Sequence, residues 1–309
     1  MSTHAADVSV IVPTQACRAR ASSLVRAIDS VVSQQNARGI PLVVVNGDRG
    51  APEMLEHLRR RADIRLAVLE EAGLPRALHA GRTLVDTPYF AVLDDDDELL
   101  PEALQTRLAA LDAAPGTDVA VTNGYLVGFG RHALNIGDFG RIRADPLRML
   151  LVQNWLAPCA GLYRTGAVTT EFFADVPEYR EWTYLALRLA RALRITFTDR
   201  PTFVYRTDTP GSLSKSREYC LAGPSATARM LALDLPPDVR AALRVRLARD
   251  LNDAAACELA AGNYRAAWRW HLASLLQPSG WRHLPYACHL LRGALAPLFA
   301  ARRPGPSAP

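Results

Sequence analysis

The apolar positions in the first part of the chain follow two recurring patterns. Short unbroken runs, VSVIV at 8–12, PLVVV at 41–45, IRLAVL at 64–69 and YFAVL at 89–93, predict four strands buried on both faces. Between them apolar residues return at helical spacing. Leu24, Val25, Ile28, Val31 and Val32 follow the serine at 22, Met54, Leu55 and Leu58 follow Pro52, and a third helix is predicted over 75–84. Strand and helix alternate strictly up to Asp94, which predicts an α/β fold with a mostly parallel sheet flanked by helices. In such a sheet the loops beyond the strand carboxyl ends line one crevice, where ligands bind.

Downstream the pattern is less regular. A helix starts at Pro101 with Leu104, Leu108 and Leu111 on one face, and a strand is predicted over 118–127. Residues 128–144, rich in Gly and Arg, read as a mobile cover near the crevice. Asp145-Pro146 caps a helix to about Asn154, a further helix covers 178–192, and the pair RITFTD and TFVYR reads as two strands. From about Glu218 the strand pattern ends. Amphipathic helices are predicted over 239–259, 264–276 and 281–299, broken at Gly262-Asn263 and at Pro278-Ser279-Gly280. The expected organisation is an α/β domain over 1–217, a helical appendage over 218–301 and a disordered tail over 302–309.

Composition narrows the class. With 49% hydrophobic and 22% charged residues in 309, the chain has the make-up of a globular protein with room for a large core. The formal charge is +5 and the only lysine is Lys215, so the excess is arginine; no basic stretch is interleaved with aromatics, and no nucleic-acid partner is expected. Five scattered cysteines without a C-x-x-C pair argue against a disulfide framework or a zinc site and for a reducing compartment. The polar start MSTHAAD does not read as a signal peptide, and no stretch approaches the roughly 20 apolar residues of a membrane span. The expected location is cytoplasmic, or peripheral at the inner face of a membrane. Arginines with Trp268, Trp270 and Trp281 in the appendage could touch a membrane surface or a partner enzyme, although such stripes are usually core.

The chemistry concentrates where the fourth strand ends in Asp94-Asp95-Asp96-Asp97. Four adjacent carboxylates repel one another, and a divalent cation offsets that repulsion; oxygen-only ligands suit Mg2+ or Mn2+. The plain structural reading is a solvated acidic turn ahead of the next helix.

The ordered set of PT after the first strand, VVVNGD, GLPRALHAG, LDDDDE, REW ahead of an apolar helix, and YR followed by GSLS resembles the family 2 glycosyltransferases of GT-A fold, over 8 to about 216. The resemblance implies a Rossmann-like GT-A domain that transfers a sugar, with inversion, from a nucleotide-sugar donor to a saccharide or lipid-linked saccharide. A UDP-sugar is favoured, and surface polysaccharide synthesis is the expected setting. It places Asp94 on the ribose and Asp96 on the metal, with Asp95 and Asp97 as alternatives and Asp95 counted with the nucleotide contacts. Glu181 falls where similar enzymes hold their general base, Arg180 replacing the usual acidic neighbour. Pro13 and Thr14 approach the nucleotide base, Asn46 and Asp48 occupy the place of a base- or ribose-reading aspartate pair, and Arg76 is a diphosphate contact. His79 stands where asparagine is common. Asp208 replaces a histidine and is a second metal candidate, or part of a turn with Pro210-Gly211; Ser212 and Ser214 belong to a closing loop. The departures at Asn46, His79 and Asp208 leave a second reading, a non-catalytic binding module with a decayed donor site. A nucleotidylyltransferase is disfavoured, because 13–20 lacks a Gly-rich, lysine-bearing phosphate loop.

Overall fold

The computed structural model describes residues 7–48, 50–209 and 216–300, with side chains to residue 293; Ser212, Ser214 and the tail over 302–309 lie outside them. It divides into two compact units, Met1–Pro210 and Gly211–Pro309.

The first unit begins with β1 (Asp7–Thr14), α1 (Ala21–Val32), β2 (Arg38–Val45), α2 (Pro52–Arg60), β3 (Arg65–Val68), α3 (Leu74–Leu84) and β4 (Tyr89–Val92). The four strands pair in parallel in the order β3-β2-β1-β4. Their unbroken apolar runs are explained by burial on both faces: Val8, Val10, Ile11, Val12, Val43, Val44 and Val45 have no exposed surface. Each such side chain stabilises the fold by about 1.5–3 kcal/mol. Gly81 lets α3 lie close against the sheet, since a Cβ there would come within 2.5 Å of Ile11 Cγ2. Thr14 is in register with Val45, and Ile11 with Val92. The Leu93 N–H continues the ladder to the Ile11 carbonyl, so the chain leaves β4 beside the carboxyl ends of β1 and β2.

The second half of this unit comprises β5 (Glu98–Leu99), α4 (Ala103–Asp112), β6 (Val119–Gly128), β7 (Arg131–Leu134), α5 (Phe139–Ala144), α6 (Pro146–Met149), β8 (Gly161–Arg164), α7 (Glu181–Ala192) and β9 (Ile195–Arg206). Here the strict alternation gives way. The strand β8 runs antiparallel between β4 and β6, β9 is parallel to β6, and β5 and β7 add antiparallel edges. Residues 128–144, expected as a loop, hold β7 and α5. The helix expected from Asp145 stops at Met149, with Asp145 accepting from the Arg148 N–H at 3.0 Å. The two expected strands RITFTD and TFVYR are one strand, β9, whose register against β6 shifts between Thr122 and Asn123, where Asp199 and Arg200 are extra. On α4 the core position between Leu104 and Leu111 is taken by Arg107, which has no exposed surface, while Leu108 is only half-buried.

The described residues of the second unit form helices α8 (Arg217–Leu231), α9 (Pro237–Ala260), α10 (Tyr264–Leu275) and α11 (Ala287–Ala300), with a 3-10 segment Gly280–Tyr286 before the last. Breaks fall at Gly262-Asn263 and around Ser279, but α8 is an additional helix and the stretch 281–299 divides into 3-10 and α segments. Val239, Leu243, Leu251, Ala254 and Ala255 of α9 are buried. Polar ties complete the packing: Thr227 donates to Asp250, and Arg217 and Asn263 both donate to Glu258.

Candidate active site

The aspartates form a tight turn off the end of β4, closed by the Asp97 N–H donating to the Asp94 carbonyl at 3.1 Å. Two of them are pinned from other elements. Asp95 accepts from the Thr14 hydroxyl at 2.6 Å and from Arg20 Nη1 at 2.9 Å. Asp97 accepts from the Arg206 backbone N–H at 2.9 Å and from the Cys159 thiol at 3.4 Å. One oxygen each from Asp94, Asp96 and Asp97 lie within 4.8 Å of one another, the one such cluster of potential metal ligands among the described residues. Burial raises the pKa of Asp94 and of Asp97 well above the usual carboxylate range, and the neighbouring carboxylates push them further. Burial also raises Asp95, against the lowering effects of Arg20 and Thr14. Three converging carboxylates with this mutual repulsion fit a hard divalent cation such as Mg2+ or Mn2+.

Ion pairs and hydrogen bonds surround the turn. Arg20 reaches Asp96 as well as Asp95, at 2.8 Å. Burial alone would lower the Arg20 pKa, yet the charges of Asp95 and Asp96 raise it. At the end of β9, Arg206 donates to Glu98 from Nε at 3.1 Å and from Nη2 at 2.7 Å, so its guanidinium is fixed while its N–H holds Asp97. Its neighbour Tyr205 has its pKa raised by burial and then by the charges of Asp94 and Asp97. Behind Asp97, Arg107 donates to Thr202 Oγ1 and to the carbonyls of Cys159 and Gly161. Burial lowers its pKa to about 10, so it remains charged at neutral pH.

Glu181 opens α7 and is 7% exposed. Its Oε1 accepts the Tyr179 N–H at 2.8 Å, and both Tyr179 and Arg180 take left-handed backbone angles, φ 58° and 75°, to turn the chain into the helix. Burial raises the Glu181 pKa above the usual range, with its backbone hydrogen bonds acting in the opposite sense. Its charge is among the smaller contributions to the raised pKa of Asp94. The adjacent Trp182 is buried, and its indole N–H makes no hydrogen bond among the described residues.

The other expected contacts are distributed around the strand ends. Pro13 and Thr14 are buried at the end of β1, where the Thr14 hydroxyl serves Asp95 and accepts the Ala16 N–H at 2.9 Å. Asn46 ties β2 to α3 by accepting the Gly73 N–H at 2.6 Å. Asp48 is exposed and makes no hydrogen bond among the described residues. Arg76 is 61% exposed and pairs with Glu71 at 2.6 Å, and His79 is exposed. Asp208 is exposed, accepts the Phe129 N–H at 3.4 Å, and lies outside the carboxylate cluster.

Residues 9–161, from β1 to the first residue of β8, match the sequence model of glycosyl transferase family 2. The chain belongs to that family. Among solved structures, residues 1–349 of S. aureus TarS in complex with UDP-GlcNAc align with TM-score 0.56 and 18% identity, covering 80% of this chain and 72% of that one. The same TarS fragment in another crystal structure gives 0.54 and 17%, over 84% and 74%. A further TarS structure gives 0.52 and 19%, over 80% of this chain and 43% of that one. These likenesses establish the GT-A-like fold. No curated protein matches.

The family 2 match ends before α7 and does not cover Glu181. Three residues that support the aspartate turn carry no role in the sequence pattern: Arg20, Cys159 and Arg107. For Arg107 a signal existed, because an arginine three residues after Leu104 and four before Leu111 lies on the buried face of its helix. For Arg20 and Cys159 no local pattern exists, since each reaches the turn only through the tertiary fold.

Proposed function

We propose that the enzyme moves a sugar from a UDP-sugar to a hydroxyl of a saccharide or lipid-linked saccharide in cell-surface polysaccharide synthesis. A single displacement then inverts the anomeric carbon. The observation that carries this reading is the convergence of Asp94, Asp96 and Asp97 off the end of β4, inside the stretch that matches glycosyl transferase family 2. The preference for uridine rests on family membership together with the TarS fragment, whose crystal structures contain UDP-GlcNAc and UDP.

Asp94, Asp96 and Asp97 would hold Mg2+ or Mn2+, which supplies charge neutralisation for a diphosphate leaving group. Glu181 accepts the proton of the attacking hydroxyl; the Tyr179 N–H fixes its carboxylate, and burial keeps it a stronger base than a solvated glutamate. Arg206 and Cys159 hold Asp97 in place, and Thr14 and Arg20 hold Asp95. Pro13, Asn46 and Asp48 frame the mouth where β1 and β2 end and where the nucleoside would lie. Exposed Arg76 is free to exchange Glu71 for a phosphate oxygen. Asp208, outside the cluster, is left without a metal role in this scheme.

Thermal melts against a panel of nucleotide sugars, with and without Mn2+, test the donor assignment. Saturation at 100 times Kd stabilises a protein by about 2.7 kcal/mol. A Mn2+-dependent rise for one UDP-sugar is expected, and no rise with any uridine nucleotide would overturn the reading.

A further inference from the structure

The helical unit carries an exposed surface of its own. On α10, Arg265, Arg269, Leu272 and Leu276 follow one another by four, three and four residues and therefore share one face. Leu272 is 54% and Leu276 85% exposed. The adjoining 3-10 segment and α11 expose further apolar side chains: Trp281 is 67%, Leu284 55% and Leu291 53% exposed. Both elements pack against α10. The Arg282 guanidinium lies over the Trp281 ring, 5.6 Å from its centre.

Charge is distributed in the same one-sided way. After Glu258 the sequence contains no Asp or Glu, yet it holds Arg265, Arg269, Arg282, Arg292, Arg302 and Arg303. Among the described residues, Arg265, Arg269, Arg282 and Arg292 have no carboxylate partner, whereas the arginines of the first unit are repeatedly paired. A surface built for solubility mixes both signs and avoids large exposed apolar side chains. Exposed leucines and a tryptophan interleaved with unpaired arginines are the composition that binds a lipid interface: apolar groups enter the acyl boundary while guanidinium groups meet lipid phosphates. No helix among the described residues is long and apolar enough to cross a membrane.

We propose that α10, the 3-10 segment Gly280–Tyr286 and the start of α11 dock the protein on an anionic phospholipid surface. Leu272, Leu276, Trp281 and Leu284 enter the interface, and Arg265, Arg269 and Arg282 supply the charge complementarity.

The experiment is co-sedimentation of the full chain with vesicles of phosphatidylcholine alone or mixed with phosphatidylglycerol, at low and high salt. The chain is expected to bind the anionic vesicles, to be released by salt, and to shift Trp281 emission to the blue, a shift absent in Trp281→Phe. One near-surface arginine is worth about fivefold in partition, so the triple variant Arg265→Gln, Arg269→Gln, Arg282→Gln is expected to bind on the order of 100-fold more weakly. These are exposed positions, so its melting temperature and donor binding should match the parent. Absence of binding, equal binding to neutral vesicles, or undiminished binding by the triple variant overturns the proposal. So does a vesicle-free dimer in sedimentation velocity that Leu272→Gln with Leu276→Gln dissociates, because the face would then belong to a second copy.

Discussion

The Arg20 guanidinium lies 2.8 Å from Asp96 and 2.9 Å from Asp95, making it the cation that holds the aspartate turn together in this structure. A metal drawn to Asp96 competes with it for the same carboxylate. Arg20→Gln therefore leaves four clustered carboxylates with less compensation. Breaking such a pair costs about 3–5 kcal/mol when fully buried, and less here because both partners keep some solvent contact. The expected result is a lowered melting temperature in chelator that Mn2+ largely restores, with tighter Mn2+ binding than the parent shows without nucleotide. An equal loss with and without Mn2+ would mean that Arg20 has a packing role only.

In the proposed mechanism Glu181 supplies the pH signature. Its folded pKa is raised by burial, so the basic form required for proton transfer is lost at a higher pH than for a solvated glutamate. The acidic limb of kcat/KM should thus lie above the usual carboxylate value of about 4.3. Glu181→Gln should remove it and lower kcat by about 10²–10⁴ while leaving donor binding intact. The stability sign is opposite to that of a paired acid. With the folded pKa above the unfolded one, the native state holds more protons between the two, and stability falls as pH rises through that window. Melting curves of the parent should therefore lose ground to those of Glu181→Gln as pH rises from about 4 toward neutrality. A parallel pH dependence would indicate an unshifted, solvent-like Glu181.

Legibility followed burial. Strands β1, β2 and β4 are covered on both faces and announced themselves as unbroken apolar runs. The four-residue β8, GLYR, with a glycine and an arginine, gave no such run, and all of β7 is exposed. The two extra residues Asp199 and Arg200 made β9 look like two strands, because a bulge breaks the period without ending the pairing. The aspartate turn at the end of β4 and a helix carrying Glu181 were visible in the sequence. Their support was not: Asp97 is fixed by Cys159, 62 residues away, and by Arg206, 109 residues away.

Gly81 is a packing requirement of the inner strands β1 and β2. A methyl group there meets Ile11 Cγ2 at 2.5 Å and Val44 Cγ2 at 3.3 Å, on strands without room to move. Overpacking costs about 1–3 kcal/mol, offset by about 1 kcal/mol of helix propensity. Gly81→Ala should lower the urea midpoint despite the better helix former, and an unchanged or raised midpoint would show that α3 can shift outward.

Arg107 links stability to the geometry of the aspartate turn. Its buried guanidinium serves Thr202 and two carbonyls of the segment carrying Cys159, whose thiol in turn meets Asp97. Arg107→Ala leaves those acceptors unpaired around a cavity, a loss of about 3–5 kcal/mol by analogy with broken buried charge networks. Arg107→Met fills the cavity and removes the desolvated charge, though the acceptors stay unpaired, so its loss should be smaller. If the network positions Asp97, both variants should bind Mn2+ more weakly under conditions where they remain folded, and Ala more weakly than Met. Titration of Mn2+ into folded protein, alongside urea melts, separates the two effects. Parent-like Mn2+ affinity in both variants would confine Arg107 to the core.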